Sequence, residues 1–376
     1  MKRIAVLITV CLVLVVSAAA TPPRKVVRVG FFEGGEYYTN SIVRNAYRDA
    51  LEHLVGPPYE ILYMPNGFKS AEWKHDQSRA LAAEFVRDTT IDIVVAIGPW
   101  VIDDLLKAGF KRPIVGLYQF DPASEGLTDK DGRPIARNLT IHVRTDKIRN
   151  DLSTLVELYH PRRIGVLSFN AGPEDTSFIP KVWQIGKSLG LDVHWAQGYN
   201  SSGTYAFFKA YNSLPKTIEA VYVSPMWGMN LTMIDQFATD LQSDHIVLFT
   251  SEGRNLVEKG VLAGGNIRGE RSAALFAAWK TVRIIEGETP ADLPVEYPET
   301  RGYVINAKSA AELGRELSPE RMSEANLIKE TSPSAEALSL SRGDAVTRAL
   351  AQNPGYQAIY TAIEAAAQQV DLARTA

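Results

Sequence analysis

Five of the short apolar runs in this chain are followed at once by residues suited to holding a small molecule. Phe32-Glu33-Gly34-Gly35-Glu36-Tyr37-Tyr38 follows the first run, Gly98-Pro99-Trp100 the third and Tyr118-Gln119-Phe120-Asp121 the fourth. Asn170-Ala171-Gly172 follows the fifth and Ser224-Pro225-Met226-Trp227 the seventh. Aromatic faces beside a few carboxylates, hydroxyls and amides suit an amphipathic solute, because rings bury apolar area while scattered polar groups fix orientation. Glycines at these points let a ligand approach backbone N–H groups, which receive an anionic end well at a helix start. The candidate ligand contacts are Glu33, Glu36, Tyr37, Gly98, Trp100, Tyr118, Asp121, Asn170, Ser224, Trp227 and Ser251. Trp100 or Tyr37 is expected to offer one aromatic wall and Trp227 the other. Any single ring among them also reads as core or rim.

Motifs for covalent chemistry are missing. The six histidines, His53, His75, His142, His160, His194 and His245, include no His-x-x-x-His pair, so the spacing points to no metal site. Gly264-Gly265-Asn266-Ile267-Arg268-Gly269 has the glycines of a phosphate loop without its lysine, and a turn leaving a strand accounts for it. Phe249-Thr250-Ser251-Glu252-Gly253 lacks the first glycine of a nucleophile elbow. No cofactor and no enzymatic activity are expected. A hydrolase using Ser251 or Ser224 is the reading from another class.

These residues need strands to carry them. Val26–Phe31, Tyr59–Met64, Ile91–Ile97, Pro113–Leu117, Arg163–Phe169, Asp192–Ala196, Ala220–Val223, Ile246–Thr250 and Val261–Ile267 are short and nearly all apolar, as strands covered on both faces must be. Between them Ile42–Val55, Ile102–Lys107, Asp146–Tyr159, Lys181–Leu189 and Arg271–Glu286 carry helical spacing, and Gly190 and Gly287 stand where helices end. The alternation predicts an α/β chain of doubly wound parallel sheets. A polar, turn-rich stretch from Tyr118 to Arg144 divides it into two lobes, whose cleft is the default ligand site.

Lys2 and Arg3, the apolar run Ile4–Val16 and Ser17-Ala18-Ala19-Ala20 are expected to be a removable secretory leader over 1–20. The single cysteine, Cys11, lies within it, so the exported chain has no thiol for disulfides or metal. Loss of Lys2 and Arg3 takes the formal charge from -3 to -5, with cations dispersed, which argues against a nucleic-acid partner.

Asp92-Ile93-Val94-Val95-Ala96-Ile97-Gly98, Pro113-Ile114-Val115 running to Asp121-Pro122, Asn138-Leu139-Thr140 and Pro161-Arg162-Arg163-Ile164-Gly165-Val166-Leu167 together resemble one family. Gly287-Glu288-Thr289-Pro290-Ala291-Asp292-Leu293-Pro294-Val295 and Val304-Ile305-Asn306 continue the match. The order resembles the ABC-transporter substrate-binding family of the type I periplasmic-binding fold. That resemblance implies a periplasmic receptor closing two lobes on a small, amino-acid-like or aromatic solute, with an ABC permease in the inner membrane as partner. It also implies the division: lobe 1 at about 26–121 and 269–295, lobe 2 at about 138–267 and 298–317, within a binding domain of 24–317. The family's Pro-Thr-Asp-Asn type turn, whose acid meets a ligand amine, is replaced here by Ser224-Pro225-Met226-Trp227, leaving Glu33, Glu36 or Asp121 to supply the charge.

A linker is expected over 318–334, containing Pro319 and Pro333, and a helical tail over 335–376. Leu338-Ser339-Leu340, Arg348-Ala349-Leu350-Ala351-Gln352-Asn353-Pro354 and Ala365-Ala366-Ala367-Gln368-Gln369-Val370 resemble the opening of a TolC-like outer-membrane efflux factor. This resemblance implies a Gram-negative envelope. It keeps open a ligand-sensing or efflux-associated role, with efflux or outer-membrane components as partners.

Overall fold

The computed structural model describes residues 24–328, apart from 99, 120–121, 124, 144–145, 171–177, 200–205, 224–230, 266–269, 297–301 and 316. The expected leader and helical tail lie outside the described residues. The chain divides into two compact units, 1–330 and 331–376.

A first sheet is built from β1 (Lys25–Glu33), β2 (Tyr59–Ser70), β3 (Ile93–Ile97), β4 (Ile114–Gln119) and β5 (Leu139–Val143), in the order β2-β1-β3-β4-β5 and parallel throughout. Each strand of a parallel sheet needs cover on both faces, and β3, Ile-Val-Val-Ala-Ile, is buried along its whole length. One face is covered by α1 (Tyr38–Leu54), whose Val43, Tyr47 and Leu51 recur every fourth residue. Beside it lies α9 (Glu270–Ile285), whose Ala274, Ala277 and Ala278 allow close approach. Tyr47 and Thr281 share a buried 2.8 Å hydrogen bond between the two helices. The opposite face carries α2 (His75–Arg87) and α3 (Val101–Lys107), with Phe85, Ile102 and Leu105 in its core.

The second sheet runs β12-β11-β10-β9-β8-β6-β7, with β6 (Arg163–Asn170), β7 (Asp192–Tyr199), β8 (Ala220–Val223), β9 (Val247–Thr250), β10 (Ala263–Gly264), β11 (Val304–Asn306) and β12 (Asn326–Ile328). Only β11 against β10 is antiparallel. α6 (Ala206–Ser213) and α7 (Leu231–Ser243) cover one face through Phe207, Tyr211, Ile234 and Phe237. α4 (Lys147–Tyr159) and α5 (Phe178–Ser188) cover the other through Leu152, Leu155 and Val182. Short helices α8 (Arg254–Val257), α10 (Ala307–Glu312) and α11 (Pro319–Glu324) complete this lobe.

The chain passes between the sheets three times: after β5, after β10, and before β11. At these crossovers Val143 pairs with Glu296, and its N–H donates to the Val295 carbonyl at 3.1 Å.

Two boundaries differ from the expectation. Leu139–Val143 pairs with β4 and so belongs to the first sheet, although the sequence assigns it to the second lobe: the polar stretch before it is an excursion between neighbouring strands. The expected linker is partly structured. Pro319 occupies the first turn of α11, where the missing N–H costs nothing and Ser318 caps the helix, and β12 extends the sheet beyond it. A chain ending after Leu317 loses β12 and the buried Ile328 and should melt many degrees lower. One ending at Glu330 should keep the full-length melting temperature, as differential scanning calorimetry would show.

Candidate functional site

The carboxyl ends of the mutually parallel strands, β1 in the first sheet and β9 in the second among them, lead into the turns that meet between the lobes, the place where open α/β sheets bind ligands. Tyr37 and Tyr38 stand where β1 turns into α1, in the first lobe. Asn40 fixes this turn by donating its side-chain amide to the Gly35 carbonyl at 2.9 Å. Both tyrosine hydroxyls donate to Oε2 of Glu252, at 2.7 Å from Tyr37 and 3.1 Å from Tyr38. Glu252 lies in the turn after β9 of the second lobe, so these bonds cross from one lobe to the other. The Tyr37 ring is 3% exposed and packs with second-lobe residues such as Leu167, Phe207 and Val223. Its centroid is 4.7 Å from that of Tyr38.

Burial pushes the Glu252 carboxyl up to about 8, and the nearby Glu270 carboxyl pushes the same way. The two tyrosine hydrogen bonds and the more distant Lys147 oppose this without overcoming it. Beside Glu252, the Ser251 hydroxyl is buried and has no hydrogen-bond partner among the described residues. Lys147, at the start of α4, forms a buried ion pair with Asp151 one turn on, and the Tyr222 hydroxyl donates to Asp151 at 2.9 Å. Gly265 leaves β10 directly over this pair: a Cβ there would lie 2.0 Å from Asp151 Oδ1, so only glycine admits the contact.

The first lobe adds two tryptophans in unusual backbone conformations. Trp73, between β2 and α2, has φ 60°, and its indole N–H donates to the Glu36 carbonyl at 3.1 Å. Its ring covers Gly35, where a Cβ would sit 2.3 Å from it. Trp100 precedes α3 with φ 62° and stacks on His75, with centroids 5.2 Å apart and planes 16° apart. His75 in turn meets Asp104 Oδ1 at 3.3 Å. Left-handed φ is unfavourable for side chains this large, and surrounding contacts must hold both rings in place. Farther along the boundary, Asp131, Arg133, Val143, Lys181, Leu293 and Glu296 are among the residues lining a groove of about 820 Å3. Among the described residues no cluster of histidine, cysteine, aspartate or glutamate is arranged to hold a metal ion.

Of the residues singled out from sequence, Tyr37 and Ser251 come together around Glu252. Glu33 is committed elsewhere: it is 1% exposed and ion-paired with Arg44 on α1, although burial still raises its carboxyl to about 6. Glu36 contributes its backbone carbonyl to Trp73, with its side chain exposed. Gly98 is buried with φ 93°, a conformation that favours glycine, and Trp100 lies two residues on. Tyr118 is the penultimate residue of β4 and Asn170 the last of β6, with side chains outside the described residues, while Asp121, Ser224 and Trp227 lie outside them altogether. The sequence reading passed over Glu252, Tyr38, Trp73 and His75. Glu252 sits in the segment weighed only as a nucleophile elbow. Trp73 was hidden because β2 runs to Ser70, six residues beyond its expected end.

In the unfolded chain an ordinary glutamate loses its proton near pH 4.5, whereas folded Glu252 keeps it to about pH 8. Between these values the folded state holds more protons, so this group's contribution to stability falls as pH rises from 4.5 to 8. Lys280, buried on α9, does the reverse: burial lowers it from 10.5 to about 7, favouring the folded state as pH rises through that window. Glu252→Gln should therefore gain stability relative to the wild type at pH 8 compared with pH 5, read by denaturant unfolding at both values. An equal difference at the two values would contradict a proton held at Glu252.

No protein-family model and no curated protein sequence matches the chain. Among solved structures it is similar to a Streptococcus pneumonia ABC domain in complex with L-Trp, at 19% identity and TM-score 0.68, over 81% of this chain and 99% of that one. A ligand-free, open substrate binding protein with adhesive properties from Clostridium difficile is also 19% identical, with TM-score 0.56 over the same shares. A solute binding protein of an ABC transporter from Rhodopseudomonas palustris, in complex with 3,4-dihydroxy benzoic acid, is 12% identical with TM-score 0.52, over 71% of this chain and 83% of that one. With its parallel sheets in two lobes, the chain has the α/β fold of the type I periplasmic-binding proteins.

Proposed function

We propose that the chain is the solute-binding component of an ABC-type transport system, working outside the cytoplasmic membrane. It holds a small amphipathic solute, amino-acid-like or aromatic, between its lobes and delivers it to a permease. The observation that carries this reading is the meeting of Tyr37 and Tyr38 of one lobe with Glu252 of the other. Rings and a carboxyl brought together only by closure are what a cleft needs to enclose a ligand with an apolar body and a polar end. The three crossovers support it, since rotation about a few connecting residues opens such a cleft without altering either sheet. The L-Trp and 3,4-dihydroxy benzoic acid bound to proteins of similar fold are ligands of this class. The tail over 335–376 is separable from this function.

A thermal-shift screen of amino acids, small aromatics, purines and sugars tests the reading. A ligand that binds only the folded state at one hundred times its Kd adds about 2.7 kcal/mol of stability. Amino acids or aromatics should raise the melting temperature, and sugars and purines should not. Trp73→Ala, Trp100→Ala and Trp227→Ala should each weaken a confirmed ligand roughly two- to tenfold, the worth of one stacked ring. Trp183→Ala, at a ring 51% exposed on α5, should leave it unchanged. A screen with no shift from any class would defeat the proposal. Unchanged affinity in all three cleft variants would remove the aromatic walls from it.

A further inference from the structure

We propose that β7 is a dimerisation edge: two copies of the chain join through it as an antiparallel strand pair, fusing their second sheets into one continuous sheet. The inference concerns the outer edge of the second lobe and holds whatever solute the cleft takes.

Open sheets have unpaired edges, and proteins blunt them with proline, charge, shortness or cover. Three of the four edges here are treated in this way. β2 carries Pro65 and Lys69, and its pairing with β1 shifts register. β5 is covered at Val143, whose N–H is taken by the Val295 carbonyl, and β12 has only three residues. β7 has none of these devices. It runs for eight residues, Asp192–Tyr199, without proline or lysine, and its one carboxylate stands at the first position. Among the described residues no strand pairs with its outer side.

The phase of the backbone shows what this edge presents. The Asp192 N–H donates to the Arg162 carbonyl at 2.8 Å, so Asp192 and every second residue after it turn their backbone groups to β6. Val193, Trp195, Gln197 and Tyr199 therefore turn N–H and C=O outward. Such a row of donors and acceptors specifies its partner more closely than an apolar surface does, because only another extended strand satisfies it.

The side chains beside the edge are aromatic. Val193 lies under Gly186 of α5, where a Cβ would stand 2.4 Å from it, and Trp195, two residues on and 42% exposed, shares that face. On the other flank of α5, Ser188 meets Arg149 of α4 at 3.5 Å. With about 100° between successive helical residues, Trp183 projects from the flank turned away from α4, on the side of Gly186 and the free edge. Its indole is half exposed and carries the Lys187 ammonium 5.2 Å from the ring centroid.

A second copy fits because the strand is complementary to itself about a two-fold axis. With the axis at Ala196, Val193 pairs with Tyr199 and Trp195 with Gln197 in both directions, which uses every outward backbone group of the strand. His194 then faces Gly198, and within the strand pair no charge meets a like charge. The two α5 helices come to lie on the same face of the joined sheet, with their Trp183 flanks toward the axis. β7 lies at the end of the sheet remote from β10 and β11, so the pairing does not engage the crossovers.

Size-exclusion chromatography with light scattering on the full chain tests this. The dimer fraction should rise as the loading increases from about 1 μM to about 100 μM. Trp195→Lys puts a charge on the edge and should raise the dimer Kd at least about tenfold, with a smaller rise for Trp183→Ala. Hydrogen exchange adds a readout that needs no variant and decides alone if Trp195→Lys fails to fold. The outward amides of Trp195 and Gln197 should slow on dimerisation, while those of His194 and Ala196, already bonded to β6, should not change. A chain still monomeric at about 100 μM overturns the assignment and leaves the edge to a strand of another protein. A dimer that both variants leave intact, or that forms without slowing the outward amides, joins through a different surface and overturns it as well.

Discussion

The carboxyl of Glu252, shut away from water and held among the described residues by two phenols from the opposite lobe, is the interaction that joins the turn after β1 to the turn after β9. A buried acid without a cation favours the protonated form, and hydrogen bonds alone do not restore the ionised one. This contact between the lobes is therefore made by hydrogen bonds and ring packing. Such a contact is directional.

The surroundings show how the fold affords that contact. Asn40 and Gly35 fix the turn that presents Tyr37 and Tyr38, and Trp73 lies flat on Gly35 because no side chain stands between them. On the second lobe, β9 ends in the turn that bears Ser251 and Glu252, and Thr250 hydrogen-bonds the backbone of that turn. The Lys147–Asp151 pair, capped by Tyr222 and covered by Gly265, ties α4 to the segment leaving β10 at two of the three crossovers. Charges matched within the lobe thus sit beside the crossovers, while Glu252, which has no ion-pair partner among the described residues, sits where the two lobes meet.

Strain follows the same map. Trp73 and Trp100 both adopt left-handed backbone angles in the first lobe, and both are held by specific partners, the Glu36 carbonyl for one and the His75 ring for the other. Large aromatic residues tolerate such angles only where neighbouring structure dictates them, which fixes these rings in place.

The parallel, doubly wound character was legible in the sequence, because strands covered on both faces leave near-continuous apolar runs and helices leave a 3.6-residue stripe. Most strands lie within a few residues of where those patterns put them, and the residues following them form the lobe boundary. β5 was assigned to the wrong lobe because a long polar excursion looks the same whether it joins neighbouring strands or two sheets. The stretch containing Pro319 read as a linker because a three-residue strand leaves too little pattern to detect, and proline opens a helix as readily as it breaks one. Composition proposed rings and acids for the cleft, but which acid faces which ring depends on how two lobes close. Glu33 and Glu252 both follow apolar runs and differ in nothing local. Only the tertiary structure gives Glu33 an arginine and leaves Glu252 without an ion-pair partner among the described residues, because an ion pair is decided by what packs opposite a side chain and not by its neighbours in the chain.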